Sequence, residues 1–330
     1  MKFGALSYGL SQNVGDEVQT LAALQYLPQV DHWLDRDLLE RYRELGKVFL
    51  ICNGWFKFRP REGWPPPENL KPLLISFYAY QSGHLIREDL VEFYQSIRPI
   101  GCRSMDTLRE FERAGVSAYF SGCLTLTLKN RFSERSDDVY IVDVDENMLS
   151  RLVPSSVRHK AIYVTHQLER PYQGLIGFRV ARMLFRLMKE VEGKDPKRRV
   201  LSKLREHYFE AWHKAKLQRA RDLLALYSRA KLVVTGKLHC AMPCLALGTP
   251  VVLLKEGVDR DRRFDGLYQL VRHCSDTNNA PALINWERPE PNSDLYVPLA
   301  EGLRRSCAEA VRKAKVENEG RTDWEVSTHS

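Results

Sequence analysis

The sequence predicts an α/β protein built from two Rossmann-like domains, and three observations carry that expectation. Short apolar runs alternate with stretches of helical apolar period, the pattern of parallel strands joined by crossover helices. One complete strand, helix, strand unit stands out at Lys231 to Leu254: Leu232 to Val234 meet Thr235-Gly236, an apolar-periodic helix follows, and Val251 to Leu254 come after Gly248-Thr249-Pro250. At 330 residues the chain exceeds one ordinary core and suits two α/β domains. We expect an N-terminal domain over 1–130, a second over 138–275, and an extended loop, helix and polar tail over 276–330.

In chain order, Lys2 to Tyr8 reads as the first strand, Gly9 to Gly15 as a loop and Asp16 to Leu27 as a helix. Asp16 and Glu17 suit the positive end of that helix, and Val18, Leu21 and Ala22 give it an apolar stripe. A polar loop at a strand's carboxyl end faces a ligand cleft, so Asn13, Asp16 and Glu17 either cap the helix or accept hydrogen bonds from a ligand. Val30 to Leu34 reads as a weak strand, Asp35 to Leu45 as a charged helix, and Lys47 to Cys52 as a strand ending in the turn Asn53-Gly54-Trp55. Trp55, Phe56, Phe58 and Trp64 alternate with Lys57, Arg59 and Arg61. That loop is either a wall that stacks on sugar rings or a small apolar cluster beneath a long loop.

Leu73 to Phe77 is the next strand, with His84 idle in the turn after it. Pro99 to Thr107 then lead into a helix, Leu108 to Ala114, and a strand, Val116 to Phe120. Arg103 follows a short strand and precedes that helix, which places its guanidinium at strand ends. Lys129 to Asp138 is charged and lacks apolar period, as a linker does. Val139 to Val144 opens the second domain. Asp143 and Asp145 lack a third ligand of metal spacing and read as loop and capping residues. Ala161 to Val164 is a further strand with His166 at its carboxyl end, a second candidate for the cleft. Gly177 to Val191 and Leu201 to Ser228 are helical.

In the unit at 231–254, Gly236 permits a tight turn and close approach of a ligand or another backbone. Lys237 and His239 occupy the first turn of the helix, whose free N–H groups already favour an anion. A lysine there is a second positive feature at one place. His239 is either a capping residue or a functional imidazole. Convergence of Lys237 and Arg103, from separate halves, on one anion is the central structural expectation. Cys240 and Cys244 share a helix face but lack further ligands for zinc, so they read as buried thiols. The loop to Arg263 is charged, Phe264 to Leu267 begins a helix, and Leu299 to Lys315 is the last helix.

Composition excludes several classes. No run of 18 apolar residues exists, so no transmembrane helix is expected, and the N-terminus turns polar too early for a signal peptide. Seven cysteines without a framework fit reduced thiols and a cytoplasmic protein. The net charge of +8 suits acidic or phosphorylated ligands, or peripheral association with an anionic membrane. No nucleic-acid-reading motif accompanies it. There is no G-x-G-x-x-G after the first strand, no Walker loop and no G-x-S-x-G.

Several segments together resemble the polysaccharide pyruvyl transferase family. Thr235-Gly236-Lys237-Leu238-His239 with Gly248-Thr249-Pro250-Val251 is similar to its signature, in which Lys237 stands where Arg is usual. Asn13 to Glu17, the run Gly101 to Leu126 around Arg103, and Arg263-Phe264-x-Gly-Leu are similar as well, although many members have Asp where Cys123 stands. The resemblance implies a GT-B-like fold with its site in the interdomain cleft. It also implies transfer of a pyruvyl group from phosphoenolpyruvate to a sugar of an exopolysaccharide, cell-wall polymer or lipid-linked oligosaccharide, forming a pyruvate ketal at the inner face of the membrane. Arg103, Gly236, Lys237, Leu238, His239 and Arg263 would then bind the donor, with His239, Arg103 and Lys237 catalytic. Asn13, Asp16, Glu17 and Trp55 would bind the acceptor. No metal or other cofactor is implied. Two other readings stay open: a sialyltransferase-like glycosyltransferase with a nucleotide-sugar donor, and a non-catalytic sugar-binding relative in which Lys237 marks a decayed donor site.

Overall fold

The computed structural model describes residues 1–8, 11–56, 64–80, 82–168, 198–276 and 284–325. The expected helix over 177–191 and residues 57–63 of the aromatic loop lie outside them. Two parallel sheets form. The first comprises β1 (Lys2–Ser7), β2 (His32–Asp35), β3 (Val48–Phe56), β4 (Leu70–Ala79), β5 (Ile100–Cys102) and β6 (Ala118–Phe120), in the order β2-β1-β3-β4-β5-β6. Its helices are α1 (Gly15–Leu24), α2 (Val91–Ser96) and α3 (Met105–Arg113). The second sheet comprises β7 (Val139–Val142), β8 (Ile162–Val164), β9 (Leu232–Thr235), β10 (Val251–Leu254) and β11 (Arg272–Cys274), in the order β11-β10-β9-β7-β8. With it come α4 (Glu146–Leu152), α5 (Ser155–Arg158), α6 (Arg198–Arg229) and α7 (Leu238–Ala246), and the chain continues into α8 (Val297–Glu325).

Numbered within itself, each sheet reads 2-1-3-4-5, the first adding a sixth strand. This is the flavodoxin-like doubly wound order, in which ligands gather where the order reverses. Those points fall between the carboxyl ends of β1 and β3 and of β7 and β9. β9 pairs directly with β7, Val142 opposite Thr235.

The structure corrects three local expectations. Asn53-Gly54-Trp55 is not a turn after β3 but part of the strand, carried through a bulge at Gly54, whose φ is +112°. The charged stretch after β2 is a 3₁₀ segment, Arg36–Tyr42, capped by the Asp35 carboxylate. Phe264 to Leu267 begin no helix. Gly266 adopts φ +83°, where an added Cβ would stand 2.8 Å from both Met105 and Phe120, and the chain passes through a short 3₁₀ turn into β11. The family-like glycine is thus a close approach between the two halves.

The largest apolar cluster draws on both sheets, with Phe3, Val18, Ile51 and Ile75 packed in one continuous group with Val142, Val233, Leu238 and Ala241. The expected linker is docked: Arg135 donates to Ala230 O, Thr249 Oγ1 and Gly248 O. The last helix returns to the first sheet, burying Leu303, Cys307 and Val311 in the shared cluster and bringing Ser306 to 3.3 Å from the Tyr119 hydroxyl. Cys240 and Cys244 are buried among these apolar groups. No described helix is long and apolar enough to cross a membrane.

One ionic contact fixes the loop before α1. Lys216, 1% exposed on α6, donates to Tyr8 O and Ser11 O and lies 2.6 Å from Glu17 Oε1. Glu17 is therefore enclosed, and the expectation that it binds an acceptor is withdrawn. Burial raises its carboxyl to about 8 against the pull of Lys216. With the unfolded value near 4.5, the folded state holds the extra proton, so this contribution is full below that value and fades as pH rises toward 8. Removing the ammonium strands the carboxyl. Lys216→Met should cost about 3 kcal/mol or more in urea unfolding. It should also steepen the loss of stability between pH 5 and pH 9, whereas an unchanged midpoint would show the pair to be energetically idle.

Candidate active site

The turn from β9 into α7 is closed tightly. Gly236 N–H donates to Val142 O, as does the Thr235 hydroxyl, which in turn accepts from Lys237 N–H at 3.0 Å. A Cβ on Gly236 would stand 2.6 Å from Asp143 O, so no other residue fits where β7 and β9 part. Asp143 itself adopts φ +47°, a strained value for a residue with a side chain. The N–H groups of Leu238 and His239, first in α7, have no acceptor within the helix, whereas those of Cys240 and Ala241 close on Lys237 O.

Pro243 sets the next feature. It occupies the position whose N–H would bond His239 O, and its ring displaces that carbonyl. His239 accordingly leaves helical geometry, with φ −81° and ψ 18°. The imidazole carried on this first turn of α7 lies against Arg103, just past β5 of the first sheet.

Arg103 meets it there. The residue leaves β5 with its N–H donating to Phe77 O and is 2% exposed. Its Nη1 donates to Gln19 Oε1 at 3.1 Å and lies 3.4 Å from His239 Nε2. The guanidinium sits over the Tyr78 ring, 4.8 Å from its centroid. Its Nε is buried without a partner, and among the described residues no carboxylate is within ion-pair distance. Burial lowers the Arg103 pKa from its ordinary value. The thiol of Cys123 is the first polar group felt by this charge, and it is held protonated by burial.

His239 keeps some exposed surface, but its ring is packed in. Burial, then the charge of Arg103, then His166 and Arg263 push its pKa well below the usual histidine value. At neutral pH the ring is uncharged, and the Arg103 N–H selects the tautomer with a free Nε2 lone pair. Burial first, and then the cations of Arg103 and Arg263 beside it, favour the unprotonated form.

The remaining expected residues distribute as follows. Lys237 is partly exposed and lies 3.9 Å from Asp143 Oδ2, while the direct contact across the strand ends is between Arg103 and His239. Arg263 is held by Asp261 at 2.6 Å, with its charge still reaching His239. Asp16 is buried and accepts from Ser11 and from Gln19 Nε2, which fixes the amide that supports Arg103. Asn13 caps Gly15 N–H and bridges to Gln167. Trp55 packs edge-on to Tyr80 at 5.4 Å, with its carbonyl taken by Arg36 and its Nε1 buried and unpartnered. Phe56 and Trp64 are core residues, so those two members of the aromatic loop form an apolar cluster.

Sequence reasoning missed Gln19 and Gly15, and underweighted His166. Gln19 lies three residues beyond Asp16 on one face of α1, a spacing that signals a pair. Gly15 shows no local signal: only the fold brings its Cα so close that an added Cβ would stand 3.1 Å from His239 Cβ and 3.3 Å from His166 Nδ1. His166 is buried, donates its N–H to Asp143 and shares a 2.9 Å bond with the Tyr227 hydroxyl. Among the described residues no group of three or more His, Cys, Asp or Glu side chains could hold a metal ion.

Two doubly wound parallel sheets, with a buried guanidinium and an imidazole meeting at their strand ends, define a doubly wound α/β protein. The family profile of polysaccharide pyruvyl transferases matches residues 13–256, which include Gln19, Arg103, Gly236, Lys237 and His239, and the chain belongs to that family. Comparison with curated proteins gave no match.

The electrostatics can be read directly. In a long-range ¹H–¹⁵N spectrum, the His239 resonance, assigned with His239→Gln, should stay in the neutral form well below pH 6.5. In Arg103→Ala its titration should move upward, because a cation has been removed. A His239 midpoint near 6.5 in both proteins would mean that the two side chains do not sense each other.

Proposed function

We propose that this protein is a pyruvyl transferase that takes phosphoenolpyruvate as donor and forms a pyruvate ketal on a saccharide of a polysaccharide or lipid-linked oligosaccharide. Family membership supports the transferase, and one observation supports the donor: the buried Arg103 guanidinium, with no carboxylate partner, beside the neutral His239. A buried cation without a counter-ion is costly, and a ligand carrying phosphate and carboxylate relieves that cost. In this reading the N-terminal half, 1–130, serves the acceptor and 138–275 the donor, in a GT-B-like arrangement with the site between them. The protein works in the cytoplasm, at the inner face of the membrane where its acceptor is lipid-linked.

Arg103 and the open N–H groups of Leu238 and His239 take the donor's anionic groups, with Lys237 supplying charge at the rim. Protonation at the methylene carbon of phosphoenolpyruvate creates an oxocarbenium-like centre at C2. A sugar hydroxyl adds its oxygen there and gives up its proton. A second hydroxyl then forms the other C2–O bond, its proton passing to the phosphate as the C2–O bond to that phosphate breaks, which releases hydrogen phosphate and closes the ketal. His239 is the residue for these proton transfers. Free, it accepts a proton; with a polyanion against Arg103, its pKa rises and it becomes the acid.

Calorimetry with phosphoenolpyruvate, with CMP and UDP for comparison, tests the reading. Saturable binding should weaken about 10-fold to 100-fold in Arg103→Ala, the loss of one or two charge-assisted hydrogen bonds. The enthalpy should also vary with buffer, because His239 takes up a proton as the donor binds. Nucleotide binding without phosphoenolpyruvate binding would transfer the assignment to glycosyl transfer. Once an acceptor is in hand, His239→Ala should lower kcat about 100-fold to 10,000-fold. Cys123→Asp should weaken the donor by giving Arg103 an internal counter-ion, and unaltered affinity in that variant would show that the guanidinium is not the anion's main contact.

A further inference from the structure

The carboxyl ends of β2, β1 and β3, neighbours at one edge of the first sheet, carry a row of buried oxygens apart from the contact of Arg103 with His239. Ser7, last in β1, lies opposite Asp35, last in β2. On its other side β1 runs with Gly4 opposite Leu50 of β3, and three residues on, the same register brings Ser7 level with Asn53. Residues level with one another in a parallel sheet project from one face. Here it is the face beneath α1 and α6. Asn53 Nδ2 donates to Gln19 O on α1 at 2.9 Å, and Trp33, two residues before Asp35, packs on His213 of α6 with ring centroids 4.3 Å apart.

Ser7, Asp35 and Asn53 are all at least 98% buried, yet Ser7 Oγ, Asp35 Oδ2 and Asn53 Oδ1 have no hydrogen-bond partner, not even one another. The atoms beside them are engaged. Asp35 Oδ1 accepts from Asp37 N–H, and the bond to Gln19 O fixes the Asn53 amide with Oδ1 as its free end. The nearby cations are engaged as well. Arg36 gives Nε and Nη2 to Asp37 and Nη1 to Trp55 O, while Lys216 divides its three protons among Glu17, Tyr8 O and Ser11 O. Among the described residues Asp35 has no ion pair.

Buried acceptors without donors in a folded chain point to a bound water or ion. A neutral water leaves the charge of Asp35 unanswered, and a buried carboxylate in that condition is costly. A cation answers the charge and the bare oxygens together. Oxygen ligands alone select a hard ion over zinc or copper. A single carboxylate with two neutral oxygens matches one positive charge, whereas calcium sites gather several carboxylates. We propose that the ends of β2, β1 and β3 hold one alkali cation, Na⁺ or K⁺, ligated by Asp35 Oδ2, Ser7 Oγ and Asn53 Oδ1. The site ties three strand ends together beneath α1, and it stands independently of the reaction proposed above.

Thermal unfolding in NaCl, KCl, MgCl₂ and N-methylglucamine chloride at one ionic strength tests the proposal. A cation that binds only the folded chain, at about ten times its Kd, shifts the folding equilibrium about tenfold, roughly 2–3 °C in Tm. NaCl or KCl should raise the native Tm by that much over N-methylglucamine. In Asp35→Asn the gain should vanish. That variant should also melt no lower than the native protein in N-methylglucamine, because its amide oxygen keeps the bond from Asp37 and its Nδ2 can donate to Ser7 or Asn53. Ser7→Ala keeps the charge and removes one ligand, so it should retain only part of the gain. Equal native Tm in all four salts would mean that water serves the row, and it overturns the site. A gain from MgCl₂ alone, or an undiminished alkali gain in Asp35→Asn, does so too.

Discussion

A buried guanidinium without a counter-ion organises the site. Among the described residues, the partners of Arg103 are Gln19, to which its Nη1 donates, the face of Tyr78 and the neutral imidazole of His239. A cation over an aromatic ring contributes about 0.5–2 kcal/mol, well short of the several kcal/mol that removing such a charge from water costs. The deficit is held by the scaffold. Asp16 and Ser11 pin Gln19, β4 pins the Arg103 backbone, and the apolar cluster beneath supplies the stability that the site withdraws. Cys123 belongs to the same arrangement: burial keeps its thiol protonated beside the guanidinium.

Parallel topology explains how residues 136 apart in sequence come to touch. In a parallel sheet all carboxyl strand ends lie on one edge, and two such edges facing each other bring together whatever stands just past the strands. Short contacts hold the edges in register: Val14 N–H with His166 O, Met105 N–H with Asp265 O, and the ammonium of Lys216 on Tyr8 O and Ser11 O. Glycine is needed at Gly236 and Gly266 for this reason, one pressed on Asp143 and the other on Met105 and Phe120.

Local rules carried the sequence reading a long way, and failed where partners are distant. Strand-end logic found Arg103, Gly236 and His239, because a short apolar run, a small or charged residue and a helix start are all encoded within about ten residues. It could not separate Asp16 from Glu17. Both are acids in the first turn of α1, yet one supports Gln19 and the other is sealed by Lys216, a residue 199 positions later. Likewise Lys237 and Arg103 had equal claim to the anion until Asp143 engaged the lysine at 3.9 Å. Pro243 was visible but its effect was not, since a proline inside a helix acts on the carbonyl four residues back, here the carbonyl of His239.

That kink gives the site a property that neither partner has alone. Burial first, and the charge of Arg103 second, hold His239 unprotonated, and an unprotonated imidazole is a poor donor to carbon. In the proposed reaction, an anion placed against Arg103 would cancel that part of the shift, so the proton would arrive with the donor rather than before it. Binding energy and acid strength are then one quantity measured at two atoms. A substrate with weaker charge at this position would both bind less and leave the imidazole a base. The same coupling protects the site: a solvent anion too small to span Arg103 and the first turn of α7 neutralises less of the field. In the proposed reaction, discrimination for a phosphate-bearing donor would rest on the groups that meet between β5 and α7.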